Sequence, residues 1–158
     1  FPRQVGAATA TPEASATPEA SATSATSAIE PSSSYRGNET VLIVEDDEGL
    51  LALETMMLES NGYKVLTALT VDIANTIAQE NSEHIDLLLT DVIMPEMNGW
   101  DLSISLLAIV PKMKVLFMSG YTADILASQG IIADEIQFLQ KPFTLKTLTA
   151  KVREVLDA

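Results

Sequence analysis

No cysteine occurs in the sequence, which excludes disulfides, thiolate metal sites and a cysteine nucleophile, and agrees with a reducing compartment. Basic residues are scarce: 9 Lys and Arg face 22 Asp and Glu, leaving a net charge of -13. Such a field repels phosphate backbones and anionic lipid, so neither nucleic acid nor direct membrane contact is expected. Also missing is any apolar run near the roughly 20 residues that span a bilayer, or a basic stretch leading into an apolar one at the N-terminus. A cytoplasmic location is the expectation. The chain starts at Phe1 rather than Met, as a piece of a longer protein would.

What is present is 158 residues with 47% hydrophobic content, enough for one packed domain but hardly two. Residues 4–34 are almost entirely Ala, Ser, Thr, Pro and Glu, and "ATPEAS" occurs twice, at Ala10 and Ala16. That composition has too little apolar bulk to offset its ordering entropy. Residues 1–38 are therefore expected to be a flexible linker and 39–158 the folded domain.

From Val41 short apolar runs alternate with longer amphipathic stretches. "VLIV" (41–44), "YKVLTA" (63–68), "IDLLLT" (85–90), "KVLFMS" (114–119) and "IQFLQ" (136–140) read as five strands, three of them nearly continuous hydrophobics suited to burial on both faces. Helices are predicted over about 48–60, 70–81, 98–109, 122–129 and 144–157, with Asn61-Gly62 as a stop and Asn98 with Asp101 as a start. Five strand-then-helix units imply a doubly wound α/β domain with a parallel sheet and right-handed crossovers. In such sheets ligands sit beyond the carboxyl ends of the strands. There the sequence places Glu45, Asp46 and Asp47 after strand one, Asp91 after strand three, Ser119 at the end of strand four, and Lys141-Pro142 after strand five.

Carboxylates crowded together repel, and one must hold a proton unless a cation intervenes. All-oxygen ligands, no thiol and a lone histidine favour a hard ion such as Mg²⁺, which takes one or two carboxylates plus a phosphate oxygen. A carboxylate can also attack phosphorus to form an acyl phosphate. Mg²⁺, the Ser119 hydroxyl and the Lys141 ammonium would then each serve one equatorial oxygen of the transferring group. Asp91 is the expected acceptor. Pro95 biases Met94 away from helical angles, so the chain leaves the strand as a loop, and Gly99 permits tight entry to the helix beyond. His84, on a polar connection, is assigned no role as phosphodonor or ligand. Trp100 and the methionines at 56, 57, 94, 97, 113 and 118 are read as packing.

The motifs "VLIVEDDE", "LLLTDVIMPEMNGW", "VLFMSGYT" and "FLQKPF", each at its own strand end, resemble the receiver domain of two-component response regulators. The resemblance implies a flavodoxin-like (βα)5 domain of strand order 2-1-3-4-5. It implies Asp91 as phosphoacceptor, with Glu45, Asp46, Asp91 and the main-chain carbonyl of Ile93 as Mg²⁺ ligands. Asp47 leaves a shifted acid pair, Asp46 with Asp47, open. Ser119 and Lys141 match the residues that follow the phosphoryl group. Phe138 takes the place of the switch aromatic, working with Ser119 on the face of helix four, strand five and helix five, where Tyr121 is a candidate partner contact. Gly120 and Tyr121 depart from the smaller aliphatic residues of many receivers.

"FMSGYT" with "FLQKPF" is most similar to receivers at the C-terminus of hybrid sensor histidine kinases, and Phe1-Pro2-Arg3 would then close a kinase ATP-binding domain. The implied partners are a histidine kinase or its phosphohistidine domain and a histidine phosphotransfer protein. No DNA-binding segment follows Ala158, so output through protein partners is expected, without independent turnover by this module. The alternatives are a stand-alone response regulator without DNA-binding output, a pseudo-receiver that only docks partners, and a Mg²⁺-dependent phosphatase of the haloacid dehalogenase type. The last needs a second aspartate two residues beyond the nucleophile, where Ile93 stands.

Overall fold

The computed structural model describes residues 35–131 and 136–158; residues 1–34 of the expected linker lie outside them. The strands are β1 (Thr40–Val44), β2 (Lys64–Ala68), β3 (Leu87–Asp91), β4 (Lys114–Ser119) and β5 (Phe138–Gln140). The helices are α1 (Glu48–Ser60), α2 (Val71–Glu80), α3 (Gly99–Ile109), α4 (Ala123–Ser128) and α5 (Leu145–Asp157). All strands pair in parallel, in the order β2-β1-β3-β4-β5.

Each helix starts where a short polar side chain can take the first free amide. Asp47, Thr70, Asn98, Thr122 and Thr144 are the N-caps, each accepting from the backbone N–H three residues on. Asn61 closes α1, and Gly62 adopts a φ of 96° beyond it, a conformation side chains disfavour. The expected strand five is shorter than its pattern: β5 covers only Phe138–Gln140, although the Gln137 carbonyl just ahead of it still accepts from Phe117 N–H of β4 at 3.0 Å.

Alternation along the strands divides the core. Val41 and Ile43 of β1, with Leu87 and Leu89 of β3, pack under α1 and α5, whereas Leu42, Val44 and Leu88 pack under α2 and α3. A third cluster joins Val92, Phe117 and Leu126, with Phe138 and Trp100 packed against it. The Trp100 ring lies 5.8 Å from that of Phe117. Five of the six methionines pack against or within these clusters, but Met56 does not: it is 61% exposed on the outer face of α1. A run such as "LETMMLES" offers two adjacent methionines, and helical geometry turns only one of them inward.

Residues 35–38, on the linker side of the expected boundary, bond with the domain. Gly37 N–H donates to Asn61 O (3.0 Å), and Tyr35 O accepts from Asn61 Nδ2 (3.3 Å) and the Tyr63 hydroxyl (3.2 Å). From α5, Arg153 reaches Arg36 O (3.2 Å), both Glu39 carboxylate oxygens and Asp157, with its guanidinium 6.0 Å from the Tyr63 ring centroid. Arg153 holds the Glu39 carboxyl below its ordinary pKa through that hydrogen bond. Lysine cannot reproduce a planar fork. Arg153→Lys is expected to lower unfolding free energy by about 1 kcal/mol, partly screened because the pair is semi-exposed; urea unfolding at low and high salt checks it.

Candidate functional site

The four rim positions come together because parallel strands end on one edge of the sheet. Glu45 follows β1, Asp91 ends β3, and Lys141 follows β5, its amide donating to Ser119 O at 2.8 Å. The Lys141 ammonium reaches back across the sheet to Glu45 Oε2 at 3.0 Å and Asp91 Oδ2 at 3.2 Å. Glu45 is 1% exposed, so its charge depends on that partner. Carboxylate oxygens of Glu45, Asp46 and Asp91 all lie within 4.8 Å of one another.

The electrostatics follow from one base shared among three acids. Burial raises the pKa of Glu45, and Lys141 offsets only part of this while Asp91 adds repulsion. Burial likewise raises Asp91, again partly offset by Lys141, with Asp46 pushing the same way as burial. For Lys141 burial alone would lower the value, but the hydrogen bond to Glu45 and the charge of Asp91 prevail and raise it. The cluster therefore lacks positive charge. An oxygen-only donor set of this spacing, short of cations, fits a hard divalent ion.

Asp47 has another occupation: its carboxylate accepts from Leu50 N–H at 3.1 Å as the cap of α1, and its own amide donates to Glu45 Oε1 at 3.3 Å. Ser119 is buried, and its hydroxyl accepts from Tyr121 N–H at 3.0 Å. Ile93 lies in the loop after β3 with its side chain 46% exposed, and Tyr121 is 56% exposed beside α4. Phe138 is half-buried, opposite Phe117 in the β4–β5 register.

Gly99 shapes the loop that carries Asp91. Its amide donates to Val92 O at 2.6 Å, and an added Cβ would collide with the Asp91 carbonyl oxygen and approach Thr90 Cγ2 at 3.2 Å. Backbone cannot yield as a flexible side chain does. Gly99→Ala is thus expected to cost about 1–3 kcal/mol and to displace the 92–98 loop; chemical denaturation and amide shifts of Asp91 and Val92 measure both.

One buried acid escaped the sequence reading. Glu54, on the core-facing line of α1 with Leu51 and Leu58, is 1% exposed, and neither carboxylate oxygen has a hydrogen-bond partner. The spacing Leu51, Glu54, Leu58 was the available signal, since it puts an acid on the apolar stripe.

Residues 41–153 match the response regulator receiver domain family. The chain is 36% identical over 128 residues to the sensor kinase CckA of Brucella abortus (strain 2308), covering 81% of this chain and 14% of that protein. It is 33% identical over 118 residues to the response regulator receiver protein CpdR of the same organism, covering 75% of this chain and 97% of CpdR. Among solved structures, the receiver domain from hybrid histidine kinase CckA matches with a TM-score of 0.58 and 34% identity, over 74% of this chain and 98% of that one. A receiver domain protein from Clostridium thermocellum matches with a TM-score of 0.66 and 27% identity, over 75% and 94%. Since the match runs from Val41 to Arg153, through every strand and into the last helix of a sheet ordered as the motifs imply, the chain belongs to the response regulator receiver domain family of two-component signal transduction.

Proposed function

We propose that residues 39–158 form a phosphoacceptor module in which Asp91 takes a phosphoryl group from a phosphohistidine. The observation that carries this reading is the Lys141 ammonium held 3.2 Å from Asp91 beside the Glu45 and Asp46 carboxylates. A carboxylate oxygen of Asp91 forms the new P–O bond, the P–N bond breaks, and its electron pair stays on the imidazole, which leaves. Lys141 neutralises one phosphoryl oxygen and the Ser119 hydroxyl donates to a second. Glu45, Asp46, Asp91 and the Ile93 carbonyl would hold Mg²⁺, which when bound supplies charge neutralisation at the remaining oxygen.

As Ser119 follows the phosphoryl group, Phe138 fills the space it leaves. Two populations of the face made by α4, β5 and α5 are thereby rebalanced, with Tyr121 on that surface. The donor is a histidine kinase or its phosphohistidine domain, and the onward carrier a histidine phosphotransfer protein, in the cytoplasm. Similarity to the sensor kinase CckA over 14% of that protein supports a hybrid-kinase origin, with the segment preceding Tyr35 as the tether. Similarity to 97% of CpdR favours a second reading, a stand-alone response regulator. Intact mass after treatment with acetyl phosphate and Mg²⁺ is expected to rise by about 80 Da, and not at all in Asp91→Asn; modification at another residue overturns the assignment.

A further inference from the structure

Glu54 is unusual for where it lies as well as for its burial. A groove of about 400 Å³ runs between α1 and the segment following β5, walled by Leu50, Leu53, Pro142 and Phe143. Glu54 and Lys141 both line it. The ammonium on the far end of the Lys141 stem is the same one that holds Glu45 and Asp91 at the rim. Glu54 makes no hydrogen bond to either acid, nor to any other group among the described residues.

We propose that Glu54 is a positioning residue for Lys141, an inference that rests on the phosphoacceptor reading: with its proton on, the carboxyl leaves the ammonium to Glu45 and Asp91, and with its proton off it draws the ammonium inward, away from Asp91.

The reason is a competition for a single cation. An ionised carboxylate without a partner cannot persist in an apolar wall, so Glu54 keeps its proton, its pKa pushed up to about 8 first by burial and next by the charge of Glu45. The charged groups around it are Glu45 at the end of β1, Asp91 at the end of β3, Asp47 at the cap of its own helix, and Lys141 after β5. Three of these repel an anion at Glu54; only Lys141 attracts one. A lysine stem is flexible and its ammonium has three donors, so it can change partners without a backbone movement. Every step towards Glu54 removes positive charge from the place where the phosphoryl oxygens must sit. Lys141 itself stays charged beyond its ordinary range, so its own deprotonation falls at a separate, higher pH.

The test follows Lys141 directly in metal-free protein, through the NMR resonance of its ε-methylene between about pH 6 and about pH 9.5. The wild-type protein is expected to show a step near pH 8, absent from both Glu54→Gln and Glu54→Leu. The two variants guard against one of them failing to fold. A step unchanged in either folded variant, or no step in the wild type, overturns the proposal. In parallel, the rate of mass gain from acetyl phosphate with Mg²⁺ is expected to fall on the alkaline side in the wild type and to stay level in the variants; the same alkaline fall in all three proteins overturns it. No mass gain in any protein at any pH sinks the phosphoacceptor reading instead, and the resonance still decides where Lys141 points.

Discussion

Asp91→Asn is expected to lose all mass gain from acetyl phosphate and, in metal-free buffer, to unfold at a higher denaturant concentration than the wild type. The two effects share one cause. Asp91 lies within 4.8 Å of the Glu45 and Asp46 carboxylates, and its raised pKa, owed first to burial and then to the remaining acids once Lys141 is allowed for, shows that its charge is a burden on the fold. The amide removes the nucleophilic oxygen and the charge together. Glu45 retains Lys141 at 3.0 Å, so no new buried charge is left unpaired. The gain is of order 1 kcal/mol. Excess Mg²⁺ should reverse the ranking, because the wild type has one more anionic ligand to offer. Urea midpoints for both proteins in chelator and in Mg²⁺ settle it, and a lower midpoint for Asp91→Asn than for the wild type in chelator would contradict the charge argument.

Glu54→Gln is expected to stabilise the domain by about 3 kcal/mol at pH 7, a difference that shrinks to a few tenths near pH 4.5. The sign follows from linkage. In the unfolded chain Glu54 titrates near 4.5, and in the fold near 8, so the folded state binds more protons in between. A raised carboxyl contributes stability that is complete below the unfolded value and is lost as pH rises towards the folded value. Each pH unit in that window costs about 1.4 kcal/mol. Glutamine, neutral at every pH and almost the same shape, does not pass through that loss. Melting temperatures of the two proteins should therefore diverge as pH rises from 5 to 8, by about 10 °C at pH 7 for a domain of this size. Parallel curves across that range would mean that Glu54 is ionised or hydrated in the fold.

The fold was legible because its signals are local and repeated. Apolar runs such as "VLIV" and "IDLLLT" followed by capped amphipathic stretches leave few arrangements besides a parallel sheet with helices on both faces. The meeting of Glu45, Asp46, Asp91 and Lys141 was legible for the same reason, since every strand ends on one edge. What stayed hidden depends on partners distant in sequence. Arg153 and Glu39 are 114 residues apart, and nothing near Tyr35 or Gly37 announces the docking of those residues. Glu54 was concealed by the ordinary rule that helix acids face water, which tertiary packing overrides here. The short β5 reflects register: Phe138, Leu139 and Gln140 lie opposite Phe117, Met118 and Ser119, where β4 itself ends.

The fork of Arg153 also sets a load path. Force applied to the chain at Tyr35 meets the Asn61 and Tyr63 side chains, then the guanidinium on Arg36 and Glu39, before it can peel Thr40 from its neighbours in the sheet. A pull from upstream is thus shared between the residues that follow α1 and, through Arg153, the helix that follows β5.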